Sequence, residues 1–164
     1  MLIPWLFSDT YKHYSLMIVG MFLMLEEKVL KSLSESIKRE SYAQKMGMRL
    51  VELKQGYAII EMETHEDMEN IFGMTHGGAI FSLIDEAFQL SCNSYGTVAL
   101  ALNVNVTYHK SPERMSTLRA VSEEVHRSGK TATYKIRVMD EKENIIASCM
   151  ALAYRKSNKL PFLD

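Results

Sequence analysis
A chain of 164 residues is long enough for one domain with a full core and short for two. With 47% of its residues apolar and 24% charged it has an ordinary globular composition, which excludes a disordered or fibrous chain. A formal net charge of −1 leaves no basic excess to neutralise phosphates and argues against a nucleic-acid binder.

The N-terminus is unusual. Residues 16–25, LMIVGMFLML, form an apolar run about half as long as a bilayer span requires, and Glu26, Glu27 and Lys28 follow it without a small-x-small cleavage pattern. Residues 1–24 therefore read as an N-terminal extension, either an accessory helix or sequence upstream of a natural start at Met24, and not as a membrane anchor. Residues 25–164 read as a single domain.

Over 25–46 the apolar residues Leu25, Val29, Leu30, Leu33 and Ile37 recur at helical spacing between charges, which predicts an amphipathic helix. Two short strands are expected at 48–53 and 57–63, joined by a Lys54-Gln55-Gly56 turn. The spacing over 79–90 predicts the strongest helix. Ile80, Leu83, Ile84 and Ala87 fall on one face, Phe81, Phe88 and Leu90 widen it, and Ser82, Asp85, Glu86 and Gln89 share the opposite arc. Four strands are expected after Tyr95-Gly96, at 98–109, 117–127, 131–140 and 144–156. They are rich in β-branched and aromatic residues, with hairpin turns at 128–130 and 141–143 and Pro112 closing the first. This order implies an α+β fold, with an antiparallel sheet curved around one long central helix.

Chemistry concentrates in residues 70–88, NIFGMTHGGAIFSLIDEAF. Gly77 and Gly78 at a helix start can leave amide N–H groups open to an anion, which the positive end of the helix dipole favours; they can equally serve only a tight turn. Asp85, flanked by Phe81 at i−4 and Phe88 at i+3, is either a desolvated base or nucleophile or one member of a solvated polar arc, with Glu86 as the rival carboxylate. His76 can polarise a carbonyl or shape the turn, and Asn70 can orient water or hold the loop. Cys92 and Cys149 are far apart and outside any C-x-x-C spacing, so they read as small apolar residues in a reducing cytoplasm. The five histidines show no metal-ligand pairing, and no metal or cofactor is expected.

The pattern N-x-x-G-x-x-H-G-G-x-x-x-x-L-x-D-x-A, carried by Asn70, Gly73, His76, Gly77, Gly78, Leu83, Asp85 and Ala87, resembles that of the PaaI-type acyl-CoA thioesterases. These are hotdog-fold proteins named for an enzyme of phenylacetate degradation. The likeness continues through SCNSYG (91–96), NVNVTYHKSP (103–112), RSGKTATYKIRVMD (127–140) and ALAYRK (151–156), and covers roughly residues 40–156. It implies a hotdog fold and hydrolysis of a medium-chain or phenylacetyl-type acyl-CoA in a homodimer or homotetramer whose sites lie between subunits. Asp85 would act as base or nucleophile and the Gly77 amide would hold the thioester oxygen. Asn70 and His76 would position substrate or water from the neighbouring chain. Gly78, Phe81 and Ser82 would line the site, and Lys110, Arg127 and Lys130 would attract CoA phosphates, unless they are ordinary surface charges.

The chain departs from the family at Ala101, where some members carry a hydroxyl, and at 113–117, ERMST, which lacks a common Gly-Asp. Two other readings stand beside hydrolysis. One is a non-catalytic acyl-CoA-binding module, which would bind CoA without turnover. The other is a hotdog dehydratase or hydratase, which would pair a histidine with an acid in sequence contexts absent here.

Overall fold
The computed structural model describes residues 8–163, with side chains from Met17 onward. The first seven residues of the N-terminal extension lie outside the described residues. In chain order the elements are α1 (Ser8–Ile37), α2 (Ser41–Lys45), β1 (Arg49–Lys54), β2 (Tyr57–Glu63), a 3-10 turn (Glu66–Met68), α3 (Gly77–Asn93), β3 (Thr97–Tyr108), β4 (Thr117–Arg127), β5 (Thr131–Met139) and β6 (Ile145–Lys159). All six strands form one antiparallel sheet in the order β1-β2-β4-β5-β6-β3, and α3 packs across its inner face. This is the hotdog arrangement.

Period-two alternation builds the core. Ala58, Ile60 and Met62 of β2, Leu118 and Ala120 of β4, and Tyr134, Ile136 and Val138 of β5 point inward onto Leu83, Ile84, Ala87 and Phe88 of α3. Burying each large side chain there contributes about 1.5–3 kcal/mol. Among the polar groups inside, Ser91 Oγ and Ser122 Oγ lie 2.7 Å apart, and Tyr134 donates to Glu124 at 2.9 Å. The outer face carries charge instead, with Arg119 and Arg49 both pairing with Glu61.

The helix expected over 25–46 is two helices with an earlier start. The apolar run of 16–25 extends α1 back to Ser8, since Leu and Met are strong helix formers. The chain then turns at 38–40, where Glu40 is extended (ψ 113), and the turn lets α2 bury Ala43. Among the described residues no helix is long and apolar enough to cross a membrane.

The central helix is longer than 79–90 at both ends. His76 caps its start, while at the end Asn93 donates to Gln89 O (2.9 Å) and accepts from the Ala99 N–H (2.8 Å), tying α3 to β3. Gly96 makes the turn between them at φ +80; a Cβ there would lie 2.9 Å from Val29 Cγ2, so α1 sits directly on this turn.

Candidate active site
The start of α3 is organised by His76. Its Nδ1 accepts from the Gly78 N–H at 2.8 Å, so an imidazole does what an Asn or Asp side chain usually does at an N-cap. A Cβ at residue 78 would stand 2.9 Å from that nitrogen, which accounts for Gly78. Of the two glycine amides only one is left open: the Gly77 N–H has no acceptor among the described residues. Nearby, Tyr108 at the end of β3 donates its hydroxyl to Gly77 O at 3.1 Å, and burial pushes the phenol pKa up.

Asn70 shapes the preceding loop. Its Oδ1 accepts from the N–H groups of Phe72 (2.9 Å) and Met74 (3.3 Å), with Gly73 at φ +70 closing the turn. This fixed loop holds Ile71 in solvent, 93% exposed, with Phe72 beside it. Asn70, Gly77, Tyr108 and Lys110 share one hollow of about 310 Å³.

Asp85 lies elsewhere. Eight residues further along α3, about 12 Å along the axis, it lines a separate apolar groove of about 400 Å³ with Phe88, Gln89 and residues from α1 and the C-terminal turn. One side of Asp85 is open to solvent, yet burial of the carboxyl raises its pKa, and the negative charge of Glu40 raises it further. Glu40 in turn accepts from Gln89 Nε2 at 2.9 Å, which fixes the turn between α1 and α2 against the groove. Phe81 is half exposed on the same flank, and Ser82 bridges Gly78 O (2.8 Å) and the Tyr42 hydroxyl (2.6 Å).

One expectation about the helix is corrected. Glu86 does not share the polar arc: it is 5% exposed, its Oε1 has no partner among the described residues, and burial, then Glu40 and Asp85, push its pKa up to about 7. The turn past Asp85 swings residue 86 inward, so it is no rival for an open site. Phe88 flanks Asp85 as expected, lining the same groove, and packs edge-on against Tyr134, with ring centroids 5.3 Å apart.

Likeness to known proteins bears on this arrangement. The family model of the thioesterase superfamily matches residues 72–147, which span the α3 residues of both hollows, strands β3 to β5 and the first three residues of β6. A protein of Archaeoglobus fulgidus described as a putative esterase is 37% identical over 124 residues, covering 76% of this chain and 80% of its own. The acyl-coenzyme A thioesterase PaaI of Escherichia coli is 27% identical over 116 residues, covering 71% of this chain and 83% of its own. The chain belongs to the PaaI-type hotdog thioesterases. It is a thioester hydrolase. The solved structure of the Escherichia coli protein superposes with a TM-score of 0.78 over 82% of this chain and 98% of its own. A Streptococcus mutans protein solved bound to acetyl CoA is 25% identical, with a TM-score of 0.66, covering 69% of this chain and 91% of its own.

In this thioesterase the three expected cations are spread out. Lys110 borders the Gly77 hollow, whereas Arg127 stacks 3.7 Å over Tyr95 beyond the other end of α3 and pairs with Glu124 at 3.5 Å. Lys130 is exposed on the β4–β5 turn. Among the described residues no three His, Cys, Asp or Glu side chains gather closely enough to hold a metal ion. Sequence reasoning missed Tyr108 and Glu40. Tyr108 stood in a quoted motif at the end of an alternating strand, but Glu40 left no local signal, because its role comes from a fold-back of 45 residues.

Proposed function
We propose that this thioesterase hydrolyses acyl-CoA thioesters of medium-chain or phenylacetyl-type acids to the free acid and CoA, at a site completed by a second copy of the chain. One observation carries the reading. The unpaired Gly77 amide and the partly desolvated Asp85 carboxylate lie in different hollows of the same chain, so one ester can meet both only where two chains join. The open edge of β3 supports that junction: β3 pairs only with β6 among the described strands, and Leu100 and Leu102 on it are 48% and 58% exposed. The acetyl CoA in the Streptococcus mutans relative supports CoA as the thiol. The free thiols Cys92 and Cys149 are in keeping with a reducing cytoplasm.

In this mechanism Asp85 takes a proton from water, and the water oxygen attacks the thioester carbonyl carbon. The carbonyl oxygen gains negative charge and is held by the Gly77 N–H of the other chain, where the dipole of α3 adds to the donor. The C–S bond then breaks, the thiolate of CoA leaves and takes up a proton, and the acid is released. Asn70 and His76 would hold the loop and helix start that present the amide. Gly78, Phe81 and Ser82 would border the ester, and Lys110, Arg127 and Lys130 would meet the CoA phosphates.

A thiol-release assay over a panel of acyl-CoAs tests this. Turnover is expected, and Asp85→Asn should lower it by about a hundredfold or more. Full activity in that variant rejects the role of Asp85. Tight CoA binding without turnover of any thioester would instead favour the binding module, and a stable monomer in sedimentation that still turns over substrate would reject the shared site.

A further inference from the structure
The groove beside Asp85 draws on two parts of the chain. Asp85, Phe88 and Gln89 fall within residues 72–147, which match the superfamily, whereas Leu33, Ser36 and Phe162 lie outside that match. The chemistry thus sits on the shared portion, which also supplies the wall from β3 at Val98 to Ala101, whereas the walls from α1 and the C-terminal turn lie outside it. We propose that the C-terminal half of α1 and the turn at 160–163 form the acyl pocket of this enzyme, and that Leu33, Ser36 and Phe162 set the size of acyl group it accepts.

The carbon attacked by water at Asp85 is joined directly to the acyl chain, so that chain must begin within a few bond lengths of the carboxylate. The hollow that opens there is walled by apolar side chains, with Leu33, Ile37 and Leu160 buried at its back. Its polar rim is occupied, since Gln89 donates to Glu40. At about 400 Å³ it is near the lower end of ligand pockets, which run from about 300 to 1,000 Å³. That suits a medium aliphatic chain or a single aromatic ring and falls short of a long fatty chain.

The walls are seated firmly. Leu160 donates its N–H to Gly96 O at 3.1 Å, and Val29 and Leu163 both close on Gly96, where a Cβ would meet them at 2.9 and 3.4 Å. The α1 helix, the C-terminal turn and the end of α3 therefore meet at one point. A change in wall side chains alters the width of the groove without moving Asp85.

This inference rests on the reading of Asp85 as the base, and the experiment separates the two. Thiol release is measured for wild type, Ser36→Phe and Phe162→Ala on acetyl-, hexanoyl-, decanoyl-, palmitoyl- and phenylacetyl-CoA. Each methylene that the pocket accommodates is expected to raise kcat/KM about fourfold until the back wall is reached. Ser36→Phe should shorten the preferred chain and lower the ratio of kcat/KM for the best wild-type substrate to that for acetyl-CoA at least tenfold. Phe162→Ala should lengthen the preferred chain. Phe162 is 39% exposed, so its truncation spares the core and decides the matter alone if the packed variant does not fold. An unchanged chain-length profile in Phe162→Ala, while wild type turns over thioesters and Asp85→Asn does not, overturns the pocket and leaves the base standing. An active Asp85→Asn, or no turnover by wild type, removes the reading beneath it and the pocket with it.

Discussion

Replacing Gly77 by proline removes one hydrogen-bond donor and little else. Residue 77 is the first of α3, the position where proline fits best because its fixed φ is already helical and its N–H has no intrahelical partner. His76 before it has φ −65 and ψ 134, within the extended region that proline demands of its predecessor. A Cβ at residue 77 would lie 3.5 Å from the Tyr108 ring, an ordinary contact, so the side chain has room. The Gly77 N–H has no acceptor among the described residues, so the folded chain loses no hydrogen bond. Stability should hold or rise by up to about 1 kcal/mol, because the unfolded chain loses freedom. If that N–H holds the thioester oxygen, its loss should cost about 3 kcal/mol of barrier, a hundred- to thousandfold in kcat. Gly77→Ala serves as the control, since it keeps the donor, and should lose less than tenfold. The measurements are thermal unfolding and steady-state thiol release on the three proteins. Proline that folds and keeps wild-type kcat would refute the oxyanion role; proline that unfolds would refute the helix-start geometry from which it was deduced.

The remaining predictions concern the carboxylates and the hydroxyl at Gly77. Catalysis by Asp85 needs its ionised form, so kcat/KM should climb with pH through a carboxylate pKa held above the ordinary range by burial and Glu40; Glu40→Gln keeps an acceptor for Gln89 but removes the charge, and should move that acidic limb to lower pH. Glu86 has a folded pKa of about 7 against 4.5 when free, so the folded state holds more protons between those values and stability falls as pH rises through that window. Glu86→Gln abolishes this loss, and its stability relative to wild type should grow from pH 4.5 to 8 by on the order of 3 kcal/mol; parallel unfolding curves at both pH values would contradict it. Tyr108→Phe removes the bond to Gly77 O and should lower stability by about 0.5–1.5 kcal/mol in denaturant titration.

Much of the fold was legible because each strand reports its own face. The alternation of β2, β4 and β5 carries its burial within the element, and their boundaries over 57–63, 117–127 and 131–139 follow the sequence pattern closely. The α1–α2 region was less legible. Helical spacing runs through Lys38, Arg39 and Glu40, and the break there lets α2 bury its Ala43, which is a tertiary requirement with no local mark. Strand β3 was blurred for a different reason. Its register shifts between Thr97 and Ala99 and between Ala101 and Asn103 interrupt the period of two, and its edge position leaves most of its side chains exposed.

The candidate site divides along the same line. Residues whose role is local could be named from spacing: His76 caps the helix that the glycines open, and Asn70 closes a turn two residues ahead of Phe72. Residues whose role depends on packing could not. Glu86 and Asp85 are neighbours in sequence with the same charge, and helical geometry puts them 100° apart, which is little on a helical wheel. Here that angle spans the boundary between groove and core, so one carboxylate is left open to a substrate and the other is half protonated near neutrality. The wall against them is α1 and the turn that follows it, reached across some 45 residues of chain, and Glu40 in that turn raises both pKa values. Reactivity of the acid therefore depends on where α1 docks, and the same docking builds the groove in which the acyl group would sit. Any change that loosens α1 should alter the pH profile and the acyl preference together, whereas a change confined to the Gly77 turn should alter kcat and leave both in place.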